Sequence, residues 1–421
     1  MSYEPIEVAD VFIAGNYPDV TYNPRASKAL ESEVTRYLRQ RGKCLVISGP
    51  SKAGKTVLVE HLLPRDFAVW VSGNRIASVD DFWSTIVDRL DAYTTVERRQ
   101  GTGHSVAVDA GISGSVPGFL RAKLSLRPKF ERNEQVGGSH IRTAASTVLE
   151  YLAHTPVPIV VDDFHYIDEG VRKAVTLAVK ELILKTRVIM IAVPHEAFDI
   201  VRSTRDMDGR VWKVEVSGWD RDELVQIARK GFEVLSVADP HDVVAIELAD
   251  ASFGAPFLMQ QLCQDLLWDN DFYESREAGY DLSPPTSWQS LFRSVADRHE
   301  PGVFPKLKQG AATRGTPRTA RTLNDGRVTD IYGLTLLGIS DLLPKREYHY
   351  RVLTGAVEKF IESDPTRSQQ ITQALKQLAS IAEDNRDGTD AAIAYKEDVL
   401  SIADPFLAFY LGYGSWDLPD V

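Results

Sequence analysis

The stretch "GPSKAGKT" sets Gly49 and Gly54 five positions apart and follows them at once with Lys55 and Thr56. This is the G-x-x-x-x-G-K-[ST] spacing of a phosphate-cradling loop. Glycines let backbone N–H groups converge on an anion, a lysine adds charge at the outer phosphates, and a hydroxyl offers an oxygen to Mg2+. Gly49, Pro50, Ser51, Lys52, Ala53 and Gly54 form the candidate cradle. Lys55, Thr56 and Val57 open the helix behind it. The plain alternative is a glycine turn with no ligand, and the flanks decide against it. "CLVIS" before the loop is a strand-sized apolar run, and "KTVLVEHLL" after it reads as a helix stopped by Pro64. A loop between a strand and a helix N-terminus offers unpaired N–H groups and a favourable dipole to a phosphate.

A second acidic element stands downstream in "PIVVDDFHYID". The apolar run Ile159–Val161 ends in two consecutive acids. Asp162, at the strand end, suits a Mg2+ ion held through its water shell. Asp163, beside it, suits orientation or deprotonation of an attacking water, and is the candidate catalytic base. Tandem acids favour hydrolysis over transfer to another substrate. A third apolar run, Val188–Val193, ends at Pro194 and His195; His195 is either a γ-phosphate sensor or a structural strand-end histidine. Arg210 precedes "VWKVEV", where it is a candidate finger for a neighbouring subunit's γ-phosphate. Arg202 and Arg205 compete for that role.

Taken together, these features resemble the ATPases related to AAA+ and STAND regulators, across roughly residues 19–300. The resemblance implies an α/β fold: a three-layer P-loop core with a parallel sheet, then an α-helical lid and a C-terminal winged helix. It also implies ATP as the nucleotide. No Asn-Lys-x-Asp guanine-reading motif is present. The lid begins at "WDRDELVQIARKGFEVL", where Asp220 and Glu223 form a capping pattern ahead of apolar Leu224, Ile227, Ala228 and Leu235. Gly254-x-Pro256 before an amphipathic helix looks like the G-x-P lid motif of STAND proteins, which packs near the nucleotide. That helix has no arginine, unlike the AAA+ helix that carries a second sensor. Upstream, "TYNPRASKALESEVTRYL" is similar to the segment that borders adenine in these families, with Tyr22 and Arg25 as its candidate contacts.

These readings divide the chain into an N-terminal segment at 1–18, an ATPase core at 19–217, a lid at 218–300, a linker at 301–330 and a winged helix at 331–421. The core holds a Gly/Ser-rich insertion at about 98–140, read as a partner or oligomer arm or as a tolerated loop. Residues 301–327 carry six Lys/Arg against one Asp, a pattern that fits either a solvated linker or phosphate contacts. Three helical patterns follow, the third over "SQQITQALKQLASIAEDN" with Ser368 as N-cap. A hairpin and the aromatic helix "DPFLAFYL" close the chain, resembling the end of archaeal-type ATPases. Gln369, Gln370, Thr372, Gln373 and Lys376 line the outer face of the third helix, as base-reading groups or as an ordinary solvated surface.

Composition limits what such a site can serve. The 421 residues are 43% hydrophobic and 25% charged, with a formal net charge of −11. That balance disfavours non-specific coating of nucleic acid but leaves a local basic surface open. No apolar run reaches the roughly 18 residues of a membrane span, and no secretion signal is legible. Cys44 and Cys263 lie in apolar segments and suit a reducing cytoplasm. There is no zinc-type Cys/His spacing and no nucleophile elbow. The leading expectation is a regulatory ATPase with slow turnover. It switches conformation and assembly, as a homo-oligomer or through an effector protein, and bacterial defence or stress signalling is the setting that the resemblance suggests. The alternatives are a loader, initiator or transposition-type ATPase acting on duplex DNA, and a nucleotide-binding scaffold with little turnover.

Overall fold

The computed structural model describes residues 3–102, 143–193, 207, 209–313, 318–361, 368–386 and 391–419. The expected insertion lies mostly, and His195, Arg202 and Arg205 lie wholly, outside the described residues. The chain divides into two compact units. The first comprises Met1–Asn23 with Ser51–Ala53 and Gly218–Val421, and the second comprises Pro24–Pro50 with Gly54–Ser217.

The second unit is built on apolar runs long enough for strands and too short for helices. Cys44–Ser48 (β1), Val69–Ser72 (β2), Ile159–Asp162 (β3), Val188–Ala192 (β4) and Val211–Glu215 (β5) form one sheet in the order β2-β3-β4-β1-β5. Every pairing is parallel. Strands covered by helices on both faces read as continuous apolar runs, and β1 and β4 are buried almost throughout while the edge strand β5 is half exposed. The helices are Leu30–Leu38 (α1), Lys55–Leu62 (α2), Val79–Thr102 (α3), Ala144–His154 (α4) and Glu169–Leu182 (α5). Helix α1 is pinned to the sheet by Tyr37, whose hydroxyl donates to the Val188 carbonyl at 2.7 Å and accepts from the Val188 N–H at 3.0 Å. Phe82, Ile86, Val148, Leu152, Val175 and Val179 cover β2, β3 and β4 in a single core. Because all five strands run the same way, their C-terminal ends share one edge of the sheet. The loop after β1 and the acids after β3 therefore emerge on the same side, where open parallel sheets place their ligands.

The first unit is mainly helical: Arg221–Val234 (α6), Val243–Ala251 (α7), Pro256–Asp269 (α8), Trp288–Arg298 (α9) and Phe304–Gln309 (α10). Helix α6 opens with the expected capping box between Asp220 and Glu223. A two-residue parallel pair joins Val237–Ala238 (β6) to Tyr280–Asp281 (β7). Residues near the N-terminus pack into this helical core: Val8, Val11 and Phe12 are fully buried, and Phe12 meets Phe232 edge-on at 5.7 Å.

The 301–330 stretch, read from composition as a linker, holds α10 and an antiparallel pair, Arg321–Thr322 (β8) with Val328–Thr329 (β9). Phe304, Leu307 and Leu323 are buried there, and Arg318 pairs with fully buried Asp330 at 2.5 Å. Its basic charge is thus partly consumed inside the fold. Beyond it come Ile331–Asp341 (α11), Glu347–His349 (β10), Tyr350–Glu358 (α12), Ser368–Asp384 (α13), Ile393–Lys396 (β11), Val399–Ile402 (β12) and Pro405–Tyr413 (α14). The three strands form an antiparallel sheet in the order β10-β12-β11. The sequence reading has the helices and the hairpin but not β10. Three residues are too few to carry a strand period.

Candidate functional site

Helix α2 begins at Lys55, with Gly54 in the left-handed conformation at its N-cap. The loop leaves β1 through Gly49, where a Cβ would lie 2.2 Å from the Val216 carbonyl oxygen. Only a residue without a side chain allows that approach. The Lys55 side chain is buried, and its Nζ donates to the carbonyls of Gly49 and Pro50, both at 2.7 Å. The ammonium is thereby held in the loop's own curve. Ser51, Lys52 and Ala53 group with the first unit, and Lys52 takes a left-handed backbone at φ 61°. Val57 is half-buried in the first turn of α2.

Thr56 and Asp162 meet directly: the threonine Oγ1 donates to Asp162 Oδ1 at 3.0 Å. Burial, then the negative charge of Asp163, pushes the Asp162 carboxyl up to about 6, and the bonds from Thr56 and the Asp163 N–H oppose that rise. The Thr56 hydroxyl and the Asp162 carboxylate are hard oxygens side by side, of the kind that Mg2+ takes. Asp163 turns the chain out of β3 with φ 54° and ψ 42°, a left-handed conformation, and its side chain is 44% exposed. The catalytic candidate is therefore open to water, while Asp162 is partly buried beside it.

Two residues that the sequence reading passes over stand against Asp163. Gly73 follows β2, and a Cβ there would come within 2.2 Å of the Asp163 carbonyl oxygen. His165 is buried, with Nε2 3.9 Å from Asp163 Oδ1. The signal for His165 is in plain view in "DDFH"; Gly73 has none, because its role depends on the pairing of β2 with β3.

The remaining candidates fall in both units. Arg210 stands just before β5, and its carbonyl accepts from the Cys44 N–H at 2.8 Å. Cys44 opens β1, so Arg210 sits at the end of the sheet away from the loop, about 13 Å along β1 at roughly 3.3 Å per residue. Arg25 is buried in a left-handed conformation and donates to the Ser217 carbonyl at 2.9 Å. In the first unit, Tyr22 stacks with Tyr17 at 6.3 Å and its carbonyl accepts from Lys230. Pro256 takes the first turn of α8, where its missing N–H costs nothing. Among the described residues no group of three or more His, Cys, Asp or Glu is placed to hold a metal ion, and no helix is long and apolar enough to cross a membrane.

No sequence relative is found among curated proteins. The chain is similar to several solved structures. Cdc6p from Pyrobaculum aerophilum shares 14% identity over 97% of this chain and 98% of that one, at a TM-score of 0.41. The Aeropyrum pernix ORC2 protein, in ADPNP–ADP complexes, shares 13% over 97% and 98%, at 0.48. The A. pernix ORC1 protein in complex with DNA shares 11% over 98% and 97%, at 0.39. These likenesses are loose, and none assigns an activity to this chain. Residues 25–191 match the family described as AAA ATPase domain. That span, less than half of the chain, holds the Gly49–Thr56 loop, the strand ending in Asp162 and the base candidate Asp163, and it is similar to the P-loop ATPase domains of that family.

Proposed function

We propose that the protein binds ATP with Mg2+ at the Gly49–Val57 loop, hydrolyses it through Asp163, and uses the bound state to switch conformation and assembly. The observation that supports this best is the 3.0 Å bond between Thr56 and Asp162, with the exposed carboxylate of Asp163 next in the chain. Thr56 and Asp162 would hold the ion, which neutralises charge on the outer phosphates when bound. Lys55 would exchange two neutral carbonyls for charged phosphate oxygens, which are stronger acceptors. Asp163 would orient the attacking water and take its proton. Arg210, on the far end of its own sheet, would complete a neighbour's site. Nucleotide-dependent assembly is then part of turnover, and a homo-oligomer or an effector protein is the partner. The test is the mass in solution with ADP and with a non-hydrolysable ATP analogue, together with phosphate release by wild type and Asp163→Asn. Hydrolysis that survives in Asp163→Asn would reassign the base. A mass that ignores the nucleotide would remove the assembly switch.

A second reading, action on duplex DNA through a winged helix, draws on the exposed polar face of α13, where Gln369, Gln373 and Lys376 all face solvent. Helix α13 belongs to a set of three helices followed by a hairpin, within a region that also holds the three-stranded antiparallel sheet. Duplex binding that weakens steeply with salt would favour this reading.

A further inference from the structure

The turn that carries Asp163 out of β3 is unusually constrained. Its left-handed backbone is disfavoured for a residue that carries a side chain, and neighbouring contacts hold it. Three do so. The Asp163 N–H donates to Asp162 Oδ1 at 3.0 Å. The absent Cβ of Gly73 leaves the Asp163 carbonyl its place. Arg172, from α5, donates to the His165 carbonyl at 3.0 Å and to the Ile167 carbonyl at 2.5 Å, which ties down the helical turn Phe164–Tyr166.

Within this fixed frame His165 stands out. It is 5% exposed, its ring lies 4.5 Å from that of Tyr166, and its Nδ1 is buried without a hydrogen-bond partner. The other ring nitrogen, Nε2, is directed to Asp163 Oδ1 at 3.9 Å. That is beyond a hydrogen bond, and the inference requires the 44% exposed Asp163 side chain to turn towards it. A buried imidazole with one orphan nitrogen is costly to keep, and it is tolerable if the orphan is the unprotonated acceptor. That assignment puts the proton on Nε2, facing a carboxylate.

We infer that His165 is a positioning residue for Asp163: its Nε2–H holds the carboxylate in the orientation that receives the proton of the attacking water. The groups facing the ring are Asp163, Lys55 and Arg172. Burial first, and then the two cations, hold the imidazole below its ordinary range against the pull of Asp163, so at neutral pH it donates as a neutral ring. The arrangement is that of a base oriented by a third group, a recurrent device in proton-transfer sites. It rests on the reading of Asp163 as the base.

The test uses the full chain with ATP and Mg2+. His165→Phe removes the donor and keeps an aromatic ring. It should lower kcat about 10- to 100-fold with KM and ATP affinity unchanged. His165→Gln, whose amide nitrogen falls near the position of Nε2, should recover most of kcat. In an Asp163→Asn background, His165→Phe should cost nothing further, because the two act through one carboxylate. If Asp163→Asn abolishes hydrolysis while folded His165→Phe keeps full kcat, or if Gln fares no better than Phe, the inference is overturned. If Asp163→Asn itself hydrolyses normally, the base assignment falls first. Should His165→Phe fail to fold, the comparison of His165→Gln with His165→Asn decides, since asparagine places its nitrogen near Nδ1 and should not rescue.

Discussion

Thr56 and Asp162 lie 106 positions apart and meet through one 3.0 Å hydrogen bond, from the threonine Oγ1 to the aspartate Oδ1. The parallel sheet makes that meeting possible. Strands β1 and β3 flank β4 and end on the same edge, so the first turn of α2 and the end of β3 converge there. A hydroxyl and a carboxylate held in contact are what the proposed Mg2+ site would use.

Lys55→Ala should weaken ATP binding at least about 100-fold, the loss expected when charge-assisted bonds to phosphate are removed. Its ammonium donates to two carbonyls of the loop itself, so the fold should survive with its thermal midpoint little changed. Calorimetric titration with ATP checks this directly, and undiminished affinity would mean that the loop does not hold phosphate.

Asp162→Asn should separate stability from binding. The Asp162 carboxyl is pushed up to about 6 by burial and by Asp163, above its value in the unfolded chain. Between about pH 4 and pH 6 the folded state therefore holds the extra proton. This group's contribution favours the fold at low pH and is lost as pH rises through about 6, at a cost on the order of 3 kcal/mol. Asparagine keeps an acceptor for Thr56 and carries no charge. The variant, free of Mg2+ and nucleotide, should be the more stable protein above pH 6, with the gap closing towards pH 4. Melting curves across that range test the direction. Added Mg2+ with nucleotide should stabilise wild type alone.

What the sequence discloses, and what it does not, divides along sequence distance. The phosphate loop and the tandem acids are legible because each is a local signal, an apolar strand ending in a short motif. The Asp220–Glu223 capping box is legible for the same reason. Arg25 is singled out by the motif around it, while one partner of its guanidinium, Ser217, lies far along the chain. Nothing near position 25 announces that partner. The basic run at 301–327 looks solvated because composition is blind to pairing: Arg318 spends its charge on buried Asp330. Gly73 is the sharpest case, since its importance exists only once β2 lies beside β3.

Arg210→Ala should lower turnover about 10³-fold if the arginine completes a neighbour's site. Because Arg210 precedes β5, at the sheet end remote from its own loop, the effect should appear in mixtures. Arg210→Ala mixed with Asp163→Asn should recover part of the activity, since each defective chain supplies what the other lacks. Specific activity should also rise with protein concentration. A mixture no more active than its parts, with turnover independent of concentration, would confine Arg210 to a surface role.

Gly73→Ala tests whether the backbone of Asp163 matters as much as its carboxylate. A methyl group at position 73 would lie 2.2 Å from the Asp163 carbonyl oxygen and 2.9 Å from its carbonyl carbon. The neighbours are backbone, so they cannot swing aside as a flexible side chain would. Either β2 and β3 part slightly or the turn at Asp163 moves, and overpacking of this kind typically costs about 1–3 kcal/mol. Lys55 and the loop after β1 are untouched, so ATP affinity should hold within a few-fold. The proton acceptor should be displaced by a fraction of an ångström to an ångström, which in well-oriented sites lowers kcat by one to two orders of magnitude, about 10- to 100-fold. Phosphate release and ATP binding, measured on the same folded preparation, distinguish the outcomes. Loss of kcat with retained affinity locates the damage at Asp163. Equal loss of both would mean that the substitution disturbs the sheet edge as a whole.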